Sequence, residues 1–203
     1  MGHADLPQLV RPSKQLAMEY ARRLFIEGSR IDMQALASAL GVGRTTIYRW
    51  LGDREAVIAD LLAELGATSW QLAGETGSGS GIDRVLAVTR RYMEITSSFE
   101  PLTTFARREP EVALRVLMSA DGPTARMIHA GLRESLDRDA PESSTLISDE
   151  TVDVLVQLGT ALQWAPIVIG AEPAIDRAIS LARTVIDQAL AADASEARRP
   201  ATS

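Results

Sequence analysis

The stretch DMQALASALGVGRTTIYRWL, residues 32–51, decides the fold of the N-terminal part of this 203-residue chain. Its first half places apolar residues at i, i+3, i+4 and i+7, which is one stripe of a helix. These residues are Met33, Leu36, Ala37 and Leu40. Asp32 precedes the stripe as a helix N-cap, and Gly41 follows it, where a left-handed C-cap favours a residue without a Cβ. The pattern predicts a short helix that ends in a tight turn.

A second short helix is predicted directly after this turn. It is too short to be stable alone in water, so Ile47 and Leu51 are expected to pack against neighbouring helices. Its other face carries Arg, Thr and Tyr side chains, which can bind base edges and phosphates. Asp53 can cap the next helix and place Arg54 in its first turn, beside N–H groups that attract phosphate. This order of helix, turn and helix is typical of a protein that lays a recognition helix in the major groove of DNA.

The same region resembles the N-terminal domain of TetR-family transcriptional regulators. AMEYARRLFIEG, residues 17–28, is similar to the first helix of the family, and LASALGVGRTTIYRWLGDREAV, residues 36–57, is similar to its helix-turn-helix signature. Trp50 and Leu51 stand where the family usually has His and Phe, and Gly43 stands where Ser is common. The variant YRWLGDRE is similar to a branch of the family that includes actinobacterial QsdR-type repressors.

The resemblance implies an all-α protein with an N-terminal three-helix helix-turn-helix domain and a C-terminal helical domain that binds an effector and dimerises. We expect the DNA-binding domain in residues 1–56, the effector and dimerisation domain in residues 57–193, and a disordered tail in residues 194–203. Base edges would be read by Arg44, Thr45 and Thr46. Gly43 lies at the start of the recognition helix, and phosphates would be held by Tyr48, Arg49 and Arg54. Arg11 and Lys14 either add DNA contacts or belong to a solvated arm.

The distribution of charge agrees with a DNA-binding N-terminal part, although the net charge of the whole chain is −6. Residues 1–56 hold eight basic and six acidic side chains, whereas the remaining residues hold 13 basic and 21 acidic ones. The chain therefore combines a mildly basic segment with an acidic body.

The residues after Asp53 are predicted to form further helices, because no strand-like alternation persists. The expected helices cover residues 53–72, 82–98, 123–136, 149–170 and 173–192. A mobile loop is expected at GETGSGSG, residues 74–81, and a polar loop at DRDAPESST, residues 137–145.

Two apolar seams on the last two predicted helices are candidates for a dimer interface. One seam consists of Ile175, Ile179, Ala182, Ile186 and Ala189, and the other of Val152, Leu155, Val156, Gly159 and Leu162. In the family the corresponding helices of two subunits form a four-helix interface. Periodicity alone leaves open the alternative that both seams bury the core of one subunit. Two-fold symmetry would require a nearly palindromic operator.

Aromatic, Met and polar residues of the body are candidates for an effector site, because such side chains adapt to organic ligands. The candidates are Tyr92, Met93, Phe99, Phe105, Met127, Thr160, Gln163 and Trp164. Pro166 is expected to bend its helix beside Gln163 and Trp164, which would open a pocket with an amide and an indole N–H. For each residue the alternative is an ordinary core position. The expected effector is a mostly apolar, neutral molecule such as a lactone or an acyl compound.

Several classes of protein are disfavoured by the sequence. Cysteine is absent, which excludes disulfides and thiolate metal sites, and no apolar run is long enough to span a bilayer. No HExxH, P-loop or dinucleotide motif is present, and neither His3 nor His129 has a catalytic context, so we expect no enzyme, cofactor or metal. The expected function is a cytoplasmic, dimeric repressor released from its DNA operator by a small effector. The alternative is a helical dimer that binds a small molecule or a protein and no longer reads DNA.

Overall fold

The computed structural model describes residues 11–196 of the chain and the side-chain environment of residues 11–192. His3 and residues 197–203 of the expected tail lie outside the described residues. All regular secondary structure between residues 11 and 196 is helical, as predicted. The chain divides into two compact units, Met1–Val57 and Ile58–Ser203.

The N-terminal unit contains α1 (Lys14–Ile26), α2 (Met33–Ala39) and α3 (Arg44–Leu51). Helix α3 packs against both α1 and α2. Phe25, Leu36 and Ile47 are buried at the centre of this unit, and Leu51 is buried on the same face of α3 as Ile47. The three short helices therefore gain their stability from a shared core.

Both predicted ends of α2 are confirmed. The Oδ1 atom of Asp32 accepts hydrogen bonds from the backbone N–H of Gln34 at 2.7 Å and of Ala35 at 2.9 Å. Gly41 has φ +64°, in the left-handed region, and the N–H of Val42 then donates to the carbonyl of Ala37. The turn that separates α2 from α3 is thus held by a side-chain cap at one end of α2 and a glycine at the other.

Helix α4 (Arg54–Thr76) begins in the N-terminal unit and continues along the chain into the C-terminal unit. Asp53 caps it, because its Oδ1 accepts from the N–H of Ala56 at 2.8 Å. The remaining helices of the C-terminal unit are α5 (Gly81–Ser98), α6 (Glu100–Arg108), α7 (Pro110–Leu117), α8 (Pro123–Asp139), α9 (Pro141–Ser144), α10 (Asp149–Val168) and α11 (Ile175–Glu196).

Helix α10 occupies the middle of the C-terminal unit. It packs against α6, α7, α8 and α11 and is hydrogen-bonded to α5 through Gln163, and α5 packs against α8 and α11. The core that these helices share contains Val85, Leu136, Val152 and Ile186, all at most 1% exposed. The unit is therefore a helical bundle built around one apolar helix.

The loop expected at residues 74–81 is shorter than predicted, because α4 continues to Thr76 and α5 begins at Gly81. Arg84 holds this connection: its guanidinium donates to the carbonyls of Gly74 and Gly77 and forms an ion pair with Asp139, at 3.2 Å from Nε to Oδ1. The glycine-rich composition predicted mobility, but Arg84 in the first turn of α5 supplies the hydrogen bonds that order the segment.

The polar loop expected at residues 137–145 is also more ordered than predicted. Helix α8 extends to Asp139, and α9 follows at once. Ser144 is buried, where its hydroxyl donates to Asp137 and its carbonyl accepts from Arg133 at 3.2 Å. Helix α11 likewise continues to Glu196, so residues 194–196 are helical and do not belong to a disordered tail.

The two seams that were candidates for a dimer interface have members in the core of a single subunit, and for these buried members the dimer interpretation is wrong and the core alternative holds. Val152, Leu155 and Val156 on α10 are at most 7% exposed, and Ile186 on α11 is 1% exposed. Leu162, Ile175, Ile179 and Ala182 are partly buried against the same cluster. The periodicity identified a buried face of each helix correctly, but it could not tell which partner covers that face.

A close approach between α4 and α8 fixes the position of Trp70. A Cβ built on Gly131 would lie 2.8 Å from the Cδ2 and Cε2 atoms of the Trp70 ring. The indole Nε1 of Trp70 donates to the hydroxyl of Ser135 at 3.3 Å, and the ring lies 4.9 Å from that of Tyr92, centroid to centroid. Only glycine at position 131 lets the indole lie this close to α8 without a shift of one of the two helices.

Gly131→Ala is expected to destabilise the protein by about 1–3 kcal/mol, because the added methyl group overpacks the Trp70 ring. Urea unfolding followed by tryptophan fluorescence measures the change. Gly159→Ala is the matched control, since a Cβ at this other helical glycine meets no atom within 4 Å. Equal free energies of unfolding for the two variants would contradict the packing argument.

The stability of α2 is expected to depend on pH through Asp32. Hydrogen bonds from the backbone N–H of Ala35 and then of Gln34 lower the pKa of this carboxyl group. Its contribution is therefore present above the ordinary value of about 3.9 and is lost as the pH falls through the lowered folded-state pKa. Asp32→Asn keeps an N-cap acceptor without the charge, so its melting temperature should fall less than that of the wild type as the pH is lowered from about 5 to about 2. Parallel pH profiles for the two proteins would contradict this role of Asp32.

Candidate nucleic-acid interface and effector cavity

One face of α3 is covered by the other helices of its unit, and the opposite face is open. Ile47 and Leu51 are buried, whereas Arg44, Thr45, Tyr48 and Arg49 are exposed. The structure thus brings together on one surface four of the residues predicted to bind DNA. Thr46 is only half-buried, so it lies at the border of this surface. We call this surface, made of Arg44, Thr45, Tyr48 and Arg49, the α3 face.

Two residues of the α3 face support each other. The guanidinium carbon of Arg44 lies 5.7 Å from the centre of the Tyr48 ring, one helical turn later. A cation–π contact of this kind limits the conformations of both side chains while leaving their polar atoms in solvent. Arg44 and Tyr48 are therefore presented together, as a pair.

The electrostatic character of the α3 face is uniformly positive. Between Asp32 and Asp53 the sequence contains two arginines, Arg44 and Arg49, and no acidic residue. Both acidic boundary residues are N-caps whose carboxylates accept hydrogen bonds from backbone N–H groups. The surface is thus suited to a polyanion.

The N-terminus of α3 is left without a side-chain cap. Gly43 is its N-cap residue and forms no side-chain hydrogen bond, unlike Asp32 on α2. A Cβ at Gly43 would meet no atom within 4 Å, so packing does not require glycine here. A serine in this place would fit, and its absence leaves the first N–H groups of α3 open to an outside acceptor.

Arg54 differs from the other predicted DNA-binding residues because the fold already uses it. Its Nε donates to the backbone carbonyl of Ile31 at 2.8 Å, and its side chain is half-buried. This bond ties the start of α4 to the segment that precedes α2. Arg54 therefore has a structural role within the unit, which the sequence pattern did not reveal.

A cavity with about 590 Å³ of empty space, its open mouth included, lies within the C-terminal unit. We call it the first cavity. Trp70, Tyr92, Leu132, Gly159, Gln163 and Ile186 are among its lining residues, and they come from α4, α5, α8, α10 and α11. No lining residue is charged. Its apolar, uncharged walls are suited to a small organic molecule.

The predicted ligand residues separate into three groups. Tyr92, Met93, Thr160 and Gln163 line the first cavity. Phe99 and Trp164, together with Tyr92, line a second, smaller cavity, and Met127 packs close to that cavity through Gly66. Phe105 lines neither of these two cavities; it is buried on α6 beside Leu102 and Ala106.

Gln163 is one of the few polar side chains in the core, and α5 holds it in place. Its Nε2 lies 3.1 Å from the carbonyl of Met93, 2.7 Å from the hydroxyl of Thr96 and 2.9 Å from that of Ser97. Because the carbonyl of Met93 can only accept, the amide nitrogen must face α5. The amide of Gln163 thus joins α10 to α5, and its N–H groups are not available to a ligand as the sequence had indicated.

Pro166 lies inside α10, where it removes the N–H that would bind the carbonyl of Leu162. That carbonyl instead accepts a hydrogen bond at 3.0 Å from the N–H of Ala174, just before α11. The proline therefore frees an acceptor that attaches the start of α11 to α10. This is a structural use of Pro166 that the sequence did not indicate.

Several residues of the first cavity could not be singled out from the sequence. Leu86, Ile128, Leu132 and Ala178 line it but are indistinguishable in sequence from core residues. Ile179, Ala182 and Ile186 were assigned to a dimer seam, and their exposure to a cavity depends on how α11 lies against α5 and α10. No local signal distinguishes a cavity wall from a packed interface.

His129 is engaged in an acidic cluster between α8 and α10. Its Nδ1 lies 2.7 Å from Oδ1 of Asp153, and its Nε2 lies 3.8 Å from Asp149, which also pairs with Arg133 at 2.6 Å. Over residues 11–196 no group of three or more His, Cys, Asp or Glu side chains is arranged to hold a metal ion. Within the same range no helix is both long and apolar enough to cross a membrane.

Comparison with known proteins agrees with this architecture. Residues 80–187 match the family described as tetracyclin repressor-like, C-terminal domain. The structure is similar to that of the R. erythropolis transcriptional repressor QsdR from the TetR family, with a TM-score of 0.79 and 26% sequence identity over 86% of this chain and 94% of that one.

A second similar structure is the TetR-family repressor AlkX from Dietzia sp. strain DQ12-45-1b, implicated in biodegradation of n-alkanes. It has a TM-score of 0.56 and 16% identity over 93% of this chain and 98% of that one, which shows a shared fold. No curated protein sequence matches this chain. The helix-turn-helix unit, the helical C-terminal unit and the match over residues 80–187 together establish that the chain belongs to the TetR family of transcriptional repressors.

Proposed function

We propose that the protein is a dimeric transcriptional repressor that binds a nearly palindromic DNA operator and is released from it by a small, neutral, mostly apolar effector. The observation that carries the DNA-binding part is the α3 face, where exposed Arg44, Tyr48 and Arg49 share one side of a helix with no acidic neighbour in the segment. Packing in the core does not account for the presence of these three side chains, because Ile47 and Leu51 already supply the buried contacts of α3.

On DNA, we place α3 in the major groove. Arg44 and Thr45, with Thr46 at the border, read base edges, since Arg binds guanine bidentately and Thr offers a hydroxyl and a methyl group. Tyr48 and Arg49 bind phosphates, and the uncapped N–H groups after Gly43 donate to another phosphate. Arg54 contributes a phosphate contact in addition to its bond to Ile31. Arg11 and Lys14, both exposed, extend the positive surface.

For the dimer, we propose the outward face of α10 and α11 in place of the buried seams. Val154 is 48% exposed, and Ala161 and Ala165 follow it at i+7 and i+11 on the same face of α10. On α11, Leu181, Thr184 and Gln188 lie at i, i+3 and i+7. At these positions the surface has four apolar residues, the uncharged polar residues Thr184 and Gln188, and no charged residue, which suits close packing of two identical helix pairs.

The effector is proposed to bind in the first cavity. The absence of charged lining residues favours a neutral molecule, because a buried unpaired charge is strongly unfavourable. Effector binding changes DNA affinity only if it favours one conformation over another, with a coupling of about 1–3 kcal/mol being usual. Helix α4 is the proposed link, since Trp70 lines the cavity on the same helix that begins with Arg54.

The alternative, a helical dimer that no longer reads DNA, has less support. If the N-terminal unit did not bind DNA, nothing in its fold would require the exposed Arg44–Tyr48 pair or a segment free of acidic residues. We assign no catalytic step to the chain, and a role on DNA places the protein in the cytoplasm.

The DNA-binding proposal is tested by selecting bound duplexes from a random pool and titrating the selected duplex at several salt concentrations. We expect a nearly palindromic sequence and an affinity that falls steeply with salt. Arg44→Ala/Tyr48→Ala should bind at least about tenfold more weakly, because one bidentate base contact is worth about 1–3 kcal/mol.

The matched control for this double variant is Arg23→Ala/Tyr20→Ala. It removes the same two side chains, also in a cation–π contact, from α1. Unchanged affinity for the control and reduced affinity for the α3 variant would assign binding to the α3 face. If no duplex is enriched at low salt by a folded dimer, the regulator proposal is wrong.

The dimer proposal is tested by Val154→Glu. A carboxylate at this position would be buried without a partner in the dimer, so we expect self-association to weaken by at least about tenfold, measured by sedimentation equilibrium. Leu72→Glu is the control, because Leu72 on α4 is equally exposed, at 47% against 48% for Val154. Dissociation of both variants, or of neither, would exclude the α10–α11 face.

A further inference from the structure

The second cavity adjoins the first one and differs from it in polarity. It encloses about 370 Å³ of empty space, its open mouth included, and lies among α4, α5, α6, α7, α8 and α10. Its walls include Gly66, Tyr92, Thr96, Thr124 and Trp164, and Tyr92 is also part of the first cavity. The two spaces therefore meet at one residue.

Thr124 is a buried hydroxyl without a partner among residues 11–192. It is the second residue of α8, its side chain is 4% exposed, and its Oγ1 forms no hydrogen bond with any described residue. Buried hydroxyl groups in folded proteins are nearly always paired, because an unpaired one loses its water without compensation. In the wall of a cavity, such a group indicates a missing hydrogen-bond partner, to which its O–H can donate.

The hydroxyl of Tyr92 belongs to the same cavity wall, and Tyr92 is only 6% exposed. A Cβ built on Gly66 would lie 3.4 Å from the Tyr92 Oη, which places this hydroxyl at the α4 wall of the second cavity. Burial raises the pKa of Tyr92, so the group stays protonated and can donate.

The other hydroxyl groups of the cavity wall are already used. Thr96 donates to the carbonyl of Tyr92 at 2.8 Å, and Ser69 donates to the carbonyl of Leu65 at 2.9 Å. The indole of Trp164, which is 4% exposed, lines the same cavity. Thr124 is therefore the unpaired group of the wall, and the hydroxyl of Tyr92 and the indole N–H of Trp164 are further groups there that can act as donors.

The absence of charged residues in the cavity walls further limits the chemical class of the ligand. Neither cavity has a charged lining residue, so a carboxylate, phosphate or ammonium group would be buried without a counter-charge. A ligand group that can accept hydrogen bonds from donors in an uncharged wall, without adding a charge, is a neutral oxygen. A carbonyl oxygen with its two lone pairs meets this requirement, whereas a hydrocarbon does not.

We propose that the second cavity is the polar end of the effector site and binds the carbonyl group of a neutral compound, whose hydrocarbon part lies in the first cavity. The donors are the hydroxyls of Thr124 and Tyr92 and the indole N–H of Trp164. This inference rests on the proposed effector function, and it adds the position and the chemistry of the group that is recognised.

The test uses 2-octanone as the neutral carbonyl probe, with octanoate and octylammonium as charged probes of the same chain length. Binding is followed by tryptophan fluorescence in a Trp50→Phe background, so that the signal comes from Trp70 and Trp164. We expect 2-octanone to bind at least about tenfold more tightly than either charged probe. Equal binding of octanoate or octylammonium would overturn the proposal.

Thr124→Val keeps the shape of the side chain and removes the hydroxyl. Because that hydroxyl has no protein partner, the melting temperature of the free variant should equal or exceed that of the wild type, while its affinity for 2-octanone falls by about 2- to 10-fold. Thr103→Val on α6 is the control, since the Thr103 hydroxyl donates to the carbonyl of Glu100 and lines neither cavity. Its affinity for 2-octanone should not change.

Unchanged 2-octanone affinity in Thr124→Val would overturn the proposal, because the hydroxyl would then not contact the ligand. A lowered melting temperature of the free variant would also overturn it, because the hydroxyl would then stabilise the fold. These measurements contain no DNA. If 2-octanone binds through Thr124 but no duplex is selected, the polar site stands and the regulator function fails. If DNA binds and 2-octanone does not, the regulator function stands and the polar site fails.

Discussion

The burial of α10 is the constraint on which the C-terminal unit depends. This helix packs against four others and is hydrogen-bonded to a fifth, α5, so a polar atom on its buried face must find a partner inside the protein. Gln163 finds its partners on α5, and the Leu162 carbonyl that Pro166 leaves open finds its partner at Ala174. The polar atoms of α10 therefore attach α5 on one side and the start of α11 on the other.

The first cavity lies between the helices that are attached in this way. Two further close contacts limit how far its walls can move: the indole of Trp70 rests against Gly131, and the Arg84 guanidinium fastens the α4–α5 connection. A cavity persists because these contacts hold the helices apart at the points where side chains do not fill the space. The same reasoning applies to the unpaired hydroxyl of Thr124 nearby, since a fold selected for stability alone would have paired it at a gain of about 1–3 kcal/mol.

The N-terminal unit is stabilised in a different way, because none of its helices is long enough to be stable alone. Asp32 and Asp53 cap α2 and α4, and Arg54 ties the start of α4 to Ile31. These bonds leave α3 with one buried face and one free face. Functional side chains are thus held by a small core and by backbone hydrogen bonds, and the α3 face itself is not needed for folding.

The sequence by itself determined the features that depend on neighbouring residues. The helix-turn-helix segment was predicted with its cap at Asp32, its turn at Gly41 and its buried Ile47 and Leu51, because caps, turns and helical faces are local in sequence. The TetR family and the all-helical fold, which were predicted from the same local patterns, were confirmed. Four of the residues predicted to contact DNA also share one exposed surface, since they follow the period of a single helix.

Only the tertiary structure decided the features that depend on partners far apart in the chain. It assigned Val152 and Ile186 to the core of one subunit and showed that the amide of Gln163 is used by α5. It also paired Arg84, which orders residues 74–81, with Asp139 on α8, and it left Thr124 unpaired beside a cavity. A periodic pattern specifies which face of a helix is apolar, but which group covers that face, and which polar atom stays without a partner, depends on the packing of helices that the sequence separates.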